Sequence, residues 1–199
     1  MNRLSSGPRV CFLLAGLLPL VNFVVPLWSI RLYAPQYPEG ISMYIWINRI
    51  TGQLDLVNGL NHYIGMKHIV PSGIPELRWM PVAVIAMSGW AFVVAALPNQ
   101  ALAILWAVAF SLLGVVGLVD FYLWGYDYGH NLDPTAPIKI PGMSYQPPLI
   151  GSKNLLNFTA VSLPHLGGIG LVLAGLCGVI GAWLLWRSSS STRAGGSPQ

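Results

Sequence analysis

Four stretches of this chain, residues 10–30, 80–97, 101–124 and 163–186, are apolar over a length that crosses about 30 Å of hydrocarbon. Asp120 is the only Asp, Glu, Lys or Arg among them. Few folds tolerate such a pattern. Backbone polar groups in hydrocarbon must be satisfied within their own segment, so each stretch reads as a membrane-spanning helix. The composition agrees, with only 8% charged residues where soluble domains carry roughly a quarter. The expected fold is an all-α membrane protein: four transmembrane helices with two sizeable loops, residues 31–79 and 125–162, forming a small cap.

Residues 1–9 are a short polar start. The run that follows exceeds the roughly 7–15-residue core of a signal peptide and no small-residue cleavage site ends it, so it is expected to stay as a span. Pro19 and Pro26 would kink it, and Trp28 and Tyr33 would sit at the interface. Only Pro98-Asn99-Gln100 separates the second and third spans, which makes them a tight antiparallel pair. On the fourth span Gly170, Ala174, Gly178 and Ala182 recur every four residues, a ridge that lets another helix approach closely and a candidate route to a homo- or hetero-oligomer. The tail, residues 187–199, is rich in Ser, Gly and Arg and is expected to be disordered. Within the loops, residues 33–40 read as an extended, proline-stiffened entry. Residues 41–50 suit either a strand or a short interfacial helix, and residues 153–159 a short amphipathic approach to the fourth span.

Four spans put both termini and residues 98–100 on one side and both loops on the other. The termini carry Arg3, Arg9, Arg187 and Arg193 with no acid, whereas the loops carry six basic residues against five acids over far more length. The positive-inside rule then places the termini in the cytoplasm of a bacterial inner membrane and the loops in the periplasm. The net charge of +4 is topology: its basic residues are scattered, with no cluster or aromatic platform for nucleic acid. Cys11 and Cys177 both fall in apolar runs and read as inert packing residues.

All four histidines fall in the loops or at the loop ends of spans, as do the methionines other than Met1 and Met87. Gly59-Leu60-Asn61-His62-Tyr63-Ile64-Gly65-Met66-Lys67-His68 packs two imidazoles and a thioether into seven residues. In an extended segment His62, Met66 and His68 share a face, and in a helical turn His62 and Met66 still do. Imidazole with thioether suits copper, Cu(I) above all, better than oxygen-seeking cations. The metal donors expected are His62, Met66, His68, His130 and Met143, with Met43 and His165 as outer possibilities. The plain alternative is that these side chains pack beneath the loops. Asp120, near the loop end of its span, is expected to reach interfacial water, to hydrogen-bond a loop histidine or to pair with Arg78. No GxSxG, HExxH, phosphate loop or CxxCH occurs, so no catalytic residue is assigned. The copper reading competes with that of a structural or assembly subunit whose Tyr-, Trp- and Pro-rich loops dock a partner protein without metal.

Three loop motifs carry a resemblance: Leu32-Tyr33-Ala34-Pro35-Gln36-Tyr37-Pro38-Glu39-Gly40, Asn58-Gly59-Leu60-Asn61-His62-Tyr63-Ile64-Gly65-Met66, and Gly129-His130-Asn131-Leu132-Asp133-Pro134 with Pro141-Gly142-Met143-Ser144-Tyr145-Gln146-Pro147-Pro148. Together they resemble a family of bacterial four-span membrane proteins associated with gene neighbourhoods for nitrous-oxide reductase maturation and copper delivery. The resemblance covers nearly the whole chain. It implies a part in supplying or assembling periplasmic copper sites, with a lipoprotein copper chaperone or a copper-related ABC system as neighbour, and the partner expected is a periplasmic copper chaperone or copper enzyme. It brings no ligand set, so the donors stay those read from the residues.

Overall fold

The first span stops earlier than its apolar run does. In the computed structural model, which describes residues 6–194, helix α1 covers Ser6–Leu20 and a 3-10 turn follows at Val21–Phe23. Pro26 has no N–H to continue a helix. The buried Asn22 side chain caps the break instead, donating to the Pro19 carbonyl at 3.0 Å. Trp28–Ala34 then runs as strand β1, with Trp28, Ile30 and Leu32 buried and Arg31 exposed, the period of two of a half-buried strand.

Strand β1 pairs with β2 (Tyr37–Ile45), which pairs with β3 (Ile50–Gly52). Across the other edge of β1 lies β5 (Phe158–Pro164), in a hairpin with β4 (Gly151–Leu155). The result is a five-stranded antiparallel sheet in the order β3-β2-β1-β5-β4, built from both loops. This corrects the all-α expectation: the protein is mixed α/β, and the cap is a sheet. Of the two readings of residues 41–50, the strand holds to Ile45. Residues 153–159, the expected amphipathic approach to the fourth span, form strand and turn. These strands are hard to read because β1 continues the apolar run of α1 without a polar break, so its alternation merges with the span.

Helix α2 (Leu54–Ile64) belongs to the cap. Helices α3 (Glu76–Ala96), α4 (Gln100–His130) and α5 (Leu166–Ala194) complete the bundle. Among the described residues, four helical segments are long and apolar enough to cross a membrane. Helix α5 continues past Trp186 to Ala194, so the part of the expected disordered tail up to that point is helical; residues 195–199, and residues 1–5 of the polar start, lie outside the described residues.

The bundle coheres by close packing. Phe12, Ala91, Val94, Trp106, Ala182 and Leu185 share one buried cluster, with the Trp106 indole donating to the Met87 carbonyl at 2.8 Å. The ridge on α5 is used within the chain: a side chain at Gly178 would run into the Trp106 ring. Since lipid is as apolar as the helices, such close approach, not the hydrophobic effect, holds the spans together.

Helix α4, with 31 residues, is about 46 Å long and outruns the hydrocarbon. Its last turns rise into the cap. There Phe121, Trp124 and Tyr128 pack against a second buried cluster of Trp28, Ile30, Ile41, Met43, Val57 and Ile69. Trp28 meets Phe121 edge to face at 5.3 Å, and its indole donates to Ser162 on β5 at 2.8 Å. Each large side chain so buried contributes about 1.5–3 kcal/mol.

Candidate functional site

Helix α2 buries Val57, Asn61 and Ile64 at i, i+4 and i+7 and leaves His62 exposed on its last turn. Gly65 ends it in the left-handed region at φ 79°, where a Cβ would meet Ala136 and the Asp133 carbonyl at 3.0 Å. The chain then doubles back along α2. Asn58 donates to the Ile69 carbonyl at 3.1 Å and accepts from the Ile69 N–H at 2.7 Å, while Asn61 donates to the Lys67 carbonyl at 3.2 Å. Two asparagines thus tie down residues 67–69. The His62 and His68 rings consequently stand 6.2 Å apart between centroids, at 81° to one another.

The facing wall is residues 131–137. Asp133 anchors it through its N–H to the Gly65 carbonyl at 2.8 Å, and its carboxylate accepts from the Thr135 N–H and hydroxyl at 2.7 and 2.6 Å. Those two donors hold the Asp133 carboxyl below the usual carboxylate range, helped by the charges of Lys139 and His62. The ion pair of Lys67 with Asp127 at 2.6 Å ties the returning segment to the end of α4, where Asn131 also donates to Asp127. Both partners are about half exposed, at 51% and 43%, so water and salt screen the pair and it orients the segment more than it stabilises it. Between the walls lies a cleft of about 470 Å³, lined by His62, Met66, Lys67, His68, Asp133 and Thr135 among others.

Of the donors expected from sequence, His62, Met66 and His68 share this cleft. The others do not line it. His130 stacks on Tyr126 at 4.0 Å and its Nδ1 lies 3.1 Å from the Tyr126 carbonyl. Met143 sits in the turn closed by its N–H to the Ile140 carbonyl. Met43 is buried among sheet side chains, and His165 packs edge-on against Tyr44 at 5.8 Å. Among the described residues, no group of three or more His, Cys, Asp or Glu is placed to hold a metal. The donor set that remains is two imidazoles and a thioether. An ion about 2 Å from one nitrogen of each ring sets the centroids about 6 Å apart in a linear arrangement, the spacing found here.

Sequence reasoning missed Asn58, Asn61 and the turn at Asp133. Asn58 and Asn61 offered a signal, two amides three apart on the inward side of a short helix. Asp133-Pro134-Thr135 offered another, the pattern of an Asx turn. No family model matches the chain and no curated protein matches it, so the reading of its role rests on the chemistry of this cleft.

Proposed function

We propose that this protein handles copper at the membrane surface, binding Cu(I) in the cap through His62 and His68 with Met66, as an accessory to the assembly of a periplasmic copper enzyme. The observation that carries the reading is the convergence of these three side chains on one cleft, with the two rings at a spacing one ion would bridge. Two imidazoles and a thioether satisfy a soft monovalent ion of low coordination number. Zinc would ask for a fourth nitrogen, sulfur or carboxylate ligand or a bound water. A cleft open to solvent suits an ion that is received and passed on. The positive-inside bias of the terminal arginines supports a bacterial inner membrane with the cap in the periplasm. The resemblance to the four-span family of copper-delivery neighbourhoods points the same way.

The test is to load the detergent-solubilised protein anaerobically with Cu(I), remove free metal and measure retained copper in wild type and in the His62→Ala/His68→Ala double variant. About one copper per chain in the wild type, lost in the variant, is expected. No retained copper in the wild type would sink the reading.

One observation favours docking of a partner at the same place. Exposed Tyr63 and Ile138, joined by the Ile138 N–H to the Tyr63 carbonyl at 2.9 Å, give the cap an apolar surface beside the cleft. A partner seated there without metal would leave copper retention at background while Tyr63→Ala abolished its binding.

A further inference from the structure

The sheet of the cap has two faces, and the chain covers one of them. Trp28, Ile30, Ile41 and Met43 lie in the buried cluster that Val57 of α2 and the end of α4 share. The residues that alternate with them point the other way: Arg31 and Tyr33 on β1, Tyr44 on β2 and Leu163 on β5, none of them buried. Arg31 stands opposite Ser42, so Tyr44 is its diagonal neighbour and Tyr33 its neighbour along the strand.

The register also fixes how far each residue stands from the bilayer. Strand β1 begins at Trp28, soon after the first span ends at Phe23, and Trp28 pairs with Pro164, two residues before α5 enters the fourth span. Ile45 pairs with both Trp28 and Ile50, so the turn at residues 46–49 hangs at this same lower edge. Tyr44 and His165 stand within about 7 Å of the edge at about 3.3 Å per residue, comparable with the thickness of a headgroup layer. Arg31 is three residues up, about 10 Å, and a long basic side chain spans that distance.

The side chains along this edge are held in place. The Trp46 indole donates to the Thr51 hydroxyl at 2.8 Å, and the Arg49 guanidinium lies 3.9 Å over the same ring while donating to Asn48 at 3.1 Å. His165 meets Tyr44 edge-on at 5.8 Å. Elsewhere in the cap Lys67 is paired with Asp127, and Arg78 donates to the Ser72 carbonyl at 3.0 Å rather than to Asp120. Among the described residues, no carboxylate pairs with Arg31 or Arg49. Glu39, the only acid on the five strands, stands six residues from Ile45 at the end away from the bilayer. The face is cationic and aromatic at headgroup height.

We propose that this outer face of the sheet is a contact surface for anionic phospholipid, with Arg31 and Arg49 taking the headgroup phosphates and Tyr44, Trp46 and His165 lying among the headgroups. Two guanidiniums with no acid between them complement a phosphate layer in charge, and rings with one apolar and one polar side settle at such an interface. The four spans bring the occupant to the surface, since the lower edge of the sheet joins two of them directly. Helix α2, with the cleft at its end, packs on the opposite face and is left free.

The test is native mass spectrometry of the detergent-solubilised full chain titrated with phosphatidylglycerol and with phosphatidylcholine. At about fivefold for each arginine near an anionic surface, phosphatidylglycerol is expected to bind about 25-fold more tightly. Arg31→Gln and Arg49→Gln should each cost about fivefold, the two together should bring the lipids within about threefold, and Arg31→Lys/Arg49→Lys should keep the preference. Equal binding of the two lipids by wild type overturns the proposal. So does a preference that survives Arg31→Gln/Arg49→Gln, or one lost equally in the lysine variant. Displacement of phosphatidylglycerol by millimolar sn-glycerol 3-phosphate would assign the arginines to a soluble phosphate. Cross-linked pairs of chains that Arg31→Gln/Arg49→Gln abolishes, with the lipids bound equally, would assign the face to a second copy. Either result also overturns the proposal.

Discussion

The side chain of Asn58 brackets the backbone of Ile69, giving a hydrogen bond to its carbonyl and taking one from its N–H. An amide on one helix thereby does for residues 67–69 what a neighbouring strand does in a sheet. His68 keeps its place beside His62 by this contact and that of Asn61 with Lys67.

Asn58→Ala removes both bonds and leaves the Ile69 groups, partly buried, without them. The expected loss is about 2 kcal/mol of cap stability. It should appear as a lower thermal midpoint in detergent together with weaker Cu(I) retention. Retention unchanged in this variant would mean that the position of His68 does not matter to the metal.

The cleft separates the histidines into two groups. His62→Ala, Met66→Ala and His68→Ala are each expected to lower Cu(I) affinity at least about tenfold, while His130→Ala and Met143→Ala leave it within twofold. A competition titration against a chromogenic Cu(I) chelator measures this. An effect of His130→Ala as large as that of His62→Ala would contradict the arrangement.

The Asp133 carboxyl is held below its ordinary range by Thr135. A group whose folded pKa is depressed contributes stability above its unfolded pKa, and that contribution is lost as pH falls through the folded value. The wall at residues 131–137 is therefore expected to be ordered at neutral pH and to loosen below about pH 4. Thr135→Val keeps the shape and removes the hydroxyl donor, so loosening should begin at a higher pH. Hydrogen exchange across pH 3–7 in the two proteins follows the onset directly.

In the bundle, Gly178 and Gly117 offer a contrast. Gly178→Leu forces its side chain into Trp106 and is expected to cost about 3 kcal/mol or more. Gly117→Leu enters open space and is expected to change stability by less than about 0.5 kcal/mol. Reversible unfolding in mixed micelles compares them. Equal destabilisation would contradict the open space beside Gly117.

The amino-acid sequence by itself determined the membrane-crossing part of this protein. Apolar segments twenty or so residues long, with Asp120 their one charge, have no alternative to helix in hydrocarbon, and the three-residue link at Pro98 forces α3 and α4 into a hairpin. It also placed His62, Met66 and His68 within seven residues, close enough that almost any local conformation keeps two of them together. The cap was decided in three dimensions. Strand β1 follows from α1 and β5 leads into α5, and each finds its partner more than a hundred residues away, as Trp28 does with Pro164. No local pattern encodes such a pairing. The separation of His130 from the cleft has the same origin: it sits two residues before Leu132, which lines the cleft, but the last turn of α4 aims its ring at Tyr126. Proximity in sequence therefore kept His62, Met66 and His68 together at the end of α2 and just beyond it, and only the packing of α4 against the cap settled which other side chains share their cleft.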